Sequence, residues 1–391
     1  MKFGIIREGK VPPDARVPLN PEQCASVLKE FDLELIVQPS PGRCFGNSEF
    51  LELNIPMQED VTNCEVLLGV KEVPIEQLIP NKTYLFFSHT IKEQAYNQPL
   101  LKAVIDKNIR LIDYEVLTDE LGRRLIAFGK FAGMVGAHNG LLTYGLRTGA
   151  FQLQRMHQFK DYAEAKAAYT SMSWPPIKIV LTGTGRVANG AALVLRDMSI
   201  RQVEPSAFLS QDFIEPVFTQ LGISDYVERK DGASFEDQNF FQNPQDYQSI
   251  FEPYTKVADI MINGIYWDNA APAFFKKEAM AETEWKIGVI ADVTCDIAPI
   301  SSIPSTLRAS TIADPFFAYD PNTHQEVPAF TKGAIDMMTI DNLPNELPRD
   351  ASTAFGTQFI EHILPEFFKV ESDILLRATV AQDGNLGPHF E

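Results

Sequence analysis

A chain of 391 residues exceeds what one hydrophobic core organises and suits two domains. Its 45% hydrophobic and 22% charged residues are those of a globular protein, and a formal charge of −18 argues against a nucleic-acid binder, which needs a basic face for phosphates. An anionic ligand must then be drawn by a local cluster of Lys and Arg working against the global field.

The first third alternates short apolar runs with helical pieces. FGII (3–6), LELIVQ (33–38), VLLGV (66–70), YLFFS (84–88) and IRLIDY (109–114) have the length and composition of strands. PEQCASVLKEF (21–31) carries apolar residues one helical turn apart, with Pro21 suited to a first turn, and QPLLKAVIDKN (98–108) predicts a helix leading into the last of these strands. Strands alternating with helices imply βαβ units and a parallel sheet. From Ala127 to Met156 small residues dominate, which predicts a long, closely packed helix crossing between lobes. A helix follows at 161–172, ended by WPP. IKIVLTGTGRVANGAALVLRDM (177–198) then predicts a strand, a glycine turn and a helix, and ADIMINGIYW (258–267) and WKIGVIADVTCD (285–296) predict later strands of the same unit. Residues 201–256, polar, aromatic and acidic, show no clear period and suggest an irregular insertion. Ser352 is positioned to cap a final helix whose Phe355, Phe359, Ile360, Ile363 and Phe367 share a face.

Cys24, Cys44, Cys64 and Cys295 form no CxxC and no ligand spacing with the six histidines, so free thiols and no metal centre are expected. MKFGII starts as a strand without a leader-like h-region, and no apolar stretch approaches the ~18 residues of a membrane span. A soluble, cytoplasmic protein with no membrane partner is expected.

GTGRVANG (183–190) fits G-x-G-x-x-A between a strand and a helix. Gly183 permits the tight turn, Gly185 lets backbone approach a pyrophosphate, and Ala188 lets the helix pack on the sheet, while the helix N-terminus offers N–H groups to the phosphates. The bland alternative is a glycine turn without a nucleotide. The fingerprint's acid, about 20 residues on, falls at Glu204, ahead of Pro205 in a weak strand. Arg186 and Arg201 are placed to meet a 2′-phosphate instead, so NAD is expected and NADP stays open.

A second pattern lies in the first third. Arg16 sits in DARVPLNP, Lys71 and Glu72 in GVKEVP, His89 and Lys92 in SHTIKEQ, Glu115 in LIDYEVL, and Arg123 and Arg124 in ELGRRLIAFG. Each follows or ends a predicted strand, and open α/β sheets bind ligands beyond their strands' carboxyl ends. Arginine forks suit carboxylates, and a lysine or histidine beside an opposed charge suits acid–base work near neutral pH. Singly, each of these residues reads as an ordinary solvated side chain; only the joint placement argues for a site.

REGKVPPDARVPLNPEQ, GVKEVP and FFSH resemble segments of the alanine dehydrogenase and transhydrogenase superfamily. LIDYEVLTDELGRRLIAFGKFAGMVGA (111–137), IMINGIYW (260–267), ADVTCDIAPISSIPSTLRASTIADPFFAYD (291–320) and TIDNLPNELPRDAS (339–352) look closer to its lysine-forming saccharopine dehydrogenases and the related lysine-ketoglutarate reductase domain. The resemblance implies an α/β fold of two Rossmann-like lobes with parallel sheets and a cleft between them. Residues 1–128 with 335–391 would form the substrate domain, and 129–334 the dinucleotide-binding domain. It implies Lys71 and His89 as the acid–base pair, Glu72 and Glu115 tuning them, and Arg16, Lys92, Arg123 and Arg124 holding substrate carboxylates. Gly183, Gly185, Arg186, Val187, Tyr266, Asp292 and Asp341 would meet NAD. The substrate would be a small polycarboxylate amino acid, saccharopine, cleaved oxidatively to lysine and 2-oxoglutarate. Alanine dehydrogenase, an NADPH-linked reductase running the condensation, and a non-catalytic nucleotide sensor are the alternatives.

Overall fold

The computed structural model describes residues 1–92 and 95–390 and divides into two compact units, Met1–Phe128 with Pro348–Glu391, and Gly129–Leu347. In the first unit, strands β1 (Lys2–Ile5), β2 (Glu34–Val37), β3 (Val66–Leu68), β4 (Thr83–Phe86) and β5 (Arg110–Asp113) lie parallel in the order β2-β1-β3-β4-β5. The strand Thr379–Gln382 adds to β5 antiparallel, and Asn385–Leu386 pairs with it. Ile5, Leu67, Leu68, Leu85 and Phe86 are all but inaccessible to solvent, as expected of parallel strands covered on both faces.

Three helices connect these strands: α1 (Pro21–Glu30), α2 (Asn47–Glu52) and α3 (Gln98–Asp106). The start of α1 was written in its sequence. Asn20 Oδ1 accepts the Gln23 N–H (2.8 Å), Gln23 Oε1 accepts the Asn20 N–H (3.0 Å), and Pro21 follows the cap, where a missing N–H costs nothing.

The late helix Pro348–His362 starts four residues before the expected cap, also on a proline. Ser352 lies inside it, buried, and its hydroxyl accepts the Val17 N–H (2.9 Å). Phe355 stacks on Phe128 (5.0 Å) and meets Tyr114 edge-on (4.9 Å) at the centre of the core, a burial worth about 2–3 kcal/mol.

The second unit holds α4 (Gly129–Thr148), α5 (Tyr162–Tyr169), β6 (Lys178–Thr182), α6 (Arg186–Asp197), β7 (Arg201–Gln202), α7 (Pro205–Ser210), β8 (Val217–Leu221), a hairpin of β9 (Val227–Arg229) and β10 (Tyr247–Ser249), then β11 (Ile260–Asn263), β12 (Val289–Asp292), β13 (Phe316–Asp320), β14 (Gln325–Val327) and β15 (Ile335–Met338). The main sheet runs β14-β13-β15-β12-β11-β6-β8-β7, parallel from β15 to β7, with β13 and β14 antiparallel at the other edge.

Three expectations need correction here. The long helix is not a crossing between lobes, because all 20 residues of α4 belong to the second unit, packed on α6, β11, β12 and β15. Its glycines make that packing: a Cβ at Gly133 would land on the Val187 carbonyl oxygen, and one at Gly190 of α6 on that of Lys130. Residues 335–347 stay with the second unit instead of returning to the first, because the apolar strand IDMM pairs with both β12 and β13. Segment 201–256 is not merely irregular; it supplies β7 and the wholly intercalated strand β8. His138 of α4 is a packed, neutral histidine. Burial drives its pKa down to about 4 while its ring bonds the Tyr169 hydroxyl and the Gln154 carbonyl (2.7 Å each).

Candidate active site

The carboxyl ends of β1, β3 and β4 gather one charged cluster. Beyond β1, the Glu8 carboxylate accepts the N–H groups of Val70 (2.6 Å) and Lys71 (2.9 Å), tying the exit of β1 to that of β3. Beyond β3, Glu72 Oε1 bonds His89 Nδ1 (2.6 Å) and Oε2 accepts from Lys10 Nζ (2.6 Å). Beyond β4, His89 adopts left-handed backbone (φ 56°), a conformation costing roughly 1–2 kcal/mol that turns its ring to Glu72. Asp113 steadies this exit: Oδ2 accepts the Ser88 N–H (3.0 Å) and Oδ1 the Glu115 N–H (2.7 Å).

Electrostatics within the cluster favour proton exchange. Burial, aided by Arg16, lowers the Lys71 pKa to about 8, and among the described residues its ammonium group has no ion-pair partner. Burial alone would raise Glu72, but hydrogen bonds from His89 and Lys10 overcome it and hold that carboxyl at about 2, a fixed anion beside the imidazole. Arg16 is 3% exposed, gripped by Asp14 through Nε–Oδ1 (2.9 Å) and Nη2–Oδ2 (2.6 Å), with its guanidinium over the Phe128 ring (4.3 Å).

Glu8 was not singled out from the sequence. Burial, with Asp14 adding to it, raises its pKa from 4.5 to about 7 against the pull of the two N–H groups. An acid raised on folding loses its proton first in the unfolded chain, so it weakens the fold as pH climbs from 4.5 to 7. Glu8→Gln removes that dependence, although the amide forfeits one N–H partner at every pH. The stability of the variant relative to the parent should rise by about 2–3 kcal/mol across the window and level off above it. Urea melts at pH 4, 6 and 8 check this, and a pH-independent difference contradicts it.

The other first-unit residues behave differently. Glu115 is bonded to Arg124 (Oε1–Nη2, 2.7 Å), so its visible partner is an arginine rather than Lys71 or His89. Arg123 sits at the tip of a hairpin closed by Thr118 and Arg124, 71% exposed, bonded to Asp119 (2.8 Å). It lines a surface hollow with Glu366, Lys369 and Arg377 rather than joining the Lys71 cluster. Lys92 ends a short turn, Thr90–Lys92; its side chain lies outside the described residues.

In the second unit, the glycine turn joins β6 to α6. Gly183 has φ 99°, and a Cβ there would press on the Gly264 carbonyl at 2.8 Å. Gly185 has ordinary backbone (φ −81°) and nothing within 4 Å of a Cβ, so no protein atom demands a glycine. A ligand approaching the backbone would, and the twelve-residue α6 points its N–H groups the same way. The residues present fit a pyrophosphate. Arg186, exposed, and Val187 open α6. Asp292 ends β12, but it is turned inward, 0% exposed. It accepts from Asn263 (2.9 Å), Thr294 Oγ1 (2.7 Å) and Thr306 (2.6 Å), and Thr182 donates to Asn263 (2.8 Å). Burial raises its pKa despite these bonds. Asp292 thus braces the exits of β6, β11 and β12 rather than facing solvent. Asp341, in the turn after β15, and Tyr266, 87% exposed after β11, are both accessible.

The description "Alanine dehydrogenase/PNT, N-terminal domain" matches residues 4–135. Saccharopine dehydrogenase (NAD(+), L-lysine-forming) of Emericella nidulans is 26% identical over 382 residues, covering 92% of this chain and 90% of its own. The chain is a homologue of the saccharopine dehydrogenases. The mitochondrial alpha-aminoadipic semialdehyde synthase of Rattus norvegicus is 31% identical over 393 residues, 90% of this chain, and its counterpart from Arabidopsis thaliana 30% over 400 residues. The chain spans 42% and 37% of those two proteins. A solved L-alanine dehydrogenase superposes with TM-score 0.68 at 14% identity, covering 100% of this chain and 98% of that one, and shares the fold. No helix among the described residues is long and apolar enough to cross a membrane.

Proposed function

We propose that the chain is an amino-acid dehydrogenase acting on the C–N bond of a secondary amine that carries several carboxylates, and that saccharopine is cleaved to lysine and 2-oxoglutarate. The observation that carries this reading is the Lys71–Glu72–His89 cluster at the strand exits of the first unit. The relatives that match over nearly their whole length are named for that reaction. NAD is the expected partner, held by the Gly183–Gly185 turn and α6; when bound, it supplies the hydride acceptor. Four free cysteines agree with a reducing, cytoplasmic setting.

Lys71, neutral in part near pH 8, takes the proton from the bridging nitrogen as the substrate carbon gives up hydride, leaving an imine. His89, held through Nδ1 by Glu72, presents Nε2 to a water and takes its proton as the oxygen adds to the imine carbon. Collapse of the carbinolamine breaks the C–N bond, and the proton returned to nitrogen releases lysine. Arg16 and Arg124, each held by a carboxylate of the protein, give the substrate carboxylates fixed guanidinium planes, and Lys92 adds a further cation. Alanine, with one carboxylate, has no use for so many cations.

The test offers the enzyme saccharopine, alanine, or lysine with 2-oxoglutarate, with NAD(H) or NADP(H), and follows the reduced-nicotinamide absorbance. Saccharopine-dependent reduction without alanine turnover is expected. Turnover of alanine alone, or of nothing in the panel, overturns the reading.

A further inference from the structure

The acidic segment 201–256 rebuilds one end of the second sheet. In a doubly wound fold, the strand after the glycine-turn helix ordinarily lies beside the glycine-turn strand, and an acid at its end takes the ribose hydroxyls. Here the strand after α6 is β7, and it lies at the sheet edge, separated from β6 by β8. Glu204, the acid at the expected spacing, precedes α7 beyond that edge strand, and Arg201 is bonded to Glu215 (2.8 Å). Both are one strand removed from the turn.

The exit of β8 stands in the vacated place. Leu181 of β6 lies opposite Gln220, and Thr182 opposite Leu221. Gln220 Nε2 donates to the Gly183 carbonyl (3.0 Å) and to Asn189 Oδ1 (3.2 Å), so its amide is fixed on the first glycine of the turn. Among the described residues its Oε1 accepts no hydrogen bond. Asp225, the carboxylate in the turn after β8, bends back to accept the Gly222 N–H (2.8 Å). Beside this exit opens an aromatic hollow of about 220 Å³, lined by Tyr226 and Phe240 from the segment and by Ile265, Tyr266 and Trp267 after β11. Its floor adjoins the turn, since Gly264 and Ile265 back onto Gly183.

We propose that Gln220 reads the adenosine ribose, with the adenine in the aromatic hollow, and that its neutral amide admits NADP(H) alongside NAD(H). This rests on the dinucleotide reading above. A carboxylate here would accept the 2′-hydroxyl and repel a 2′-phosphate; the amide oxygen accepts the hydroxyl without that repulsion. The insertion thereby becomes the wall of the adenosine site.

Titration of the full chain with NADH and with NADPH, followed by the nucleotide's own fluorescence, tests the proposal. The parent protein should bind both within about tenfold of each other. Gln220→Glu should shift the affinity ratio toward NADH by about tenfold or more, Gln220→Arg should shift it toward NADPH, and Gln220→Ala, which removes the acceptor of a 2′-hydroxyl that NADPH lacks, should weaken NADH more than NADPH. The ratio cancels any general damage to the turn, which affects both nucleotides alike. A ratio that moves less than about threefold in both charged variants overturns the assignment of Gln220, as does strong exclusion of NADPH by the parent. Failure of the parent to bind either nucleotide overturns the dinucleotide reading itself.

Discussion

Lys71→Met should lower kcat for saccharopine oxidation by about 10²–10⁴-fold while changing NADH affinity less than about twofold. Methionine keeps the length and much of the volume of the side chain and removes only the titrating nitrogen, so the fold should tolerate it. The sign of the pH effect follows from the lysine's environment. Burial and Arg16 disfavour the ammonium form and bring its pKa from 10.5 to about 8, so the neutral base accumulates as pH rises through 8. The parent kcat/KM in the oxidative direction should therefore climb toward that pH, and the variant's residual activity should lack this limb. His89→Gln serves as the companion measurement. An amide cannot take a proton from water, so turnover should fall while cofactor affinity stays. Unchanged kcat in both variants would remove the cluster from the chemistry.

Gly185→Val should abolish NADH binding at concentrations that saturate the parent protein and leave the melting temperature nearly unchanged. Gly133→Ala should do the reverse damage, costing about 3 kcal/mol or more of stability. The two glycines differ in what surrounds them. Gly133 faces the Val187 backbone across the α4–α6 crossing, and a methyl there has nowhere to go. Gly185 faces open space with ordinary backbone angles, so a side chain is accepted by the protein and refused only by a ligand. Thermal melts paired with nucleotide titration separate the cases. Normal NADH binding by Gly185→Val would place the phosphates elsewhere.

What could be read from the sequence followed how local each signal was. The strands of the first unit were legible because VLLGV and YLFFS are short apolar runs bounded by polar residues, the mark of strands buried on both faces. The first turn of α1 at Pro21 and the glycine turn were legible because helix starts and turns use few residue types in fixed places. β8 was not: VFTQL is five residues within a polar, acidic surround, and its place between β6 and β7 depends on long-range pairing that no local pattern carries. Ser352 looked like a cap because serines often are; Pro348 starts that helix, and the serine hydroxyl serves Val17, 335 residues away in sequence. Within the site, Lys71, Glu72 and His89 came forward because they follow apolar runs. Glu8 stayed hidden, since a carboxylate in a loop announces nothing until folding brings the Val70 and Lys71 N–H groups to it. Arg123 and Arg124 are adjacent in sequence yet meet different carboxylates, because successive residues of a hairpin point to opposite faces.

The return of residues 348–390 to the first unit has a consequence for synthesis on the ribosome. Until the strand Thr379–Gln382 emerges, the edge of β5 stays bare, and until Phe355 and Phe359 arrive the core around Tyr114 lacks its centre. The second unit, contiguous in sequence from 129 to 347, can close while translation continues, but the first must wait with an open edge and uncovered aromatic surface. Nascent chains stalled near residue 347 should thus expose the Lys71–His89 segment to chaperones and proteases while the second unit is already protected.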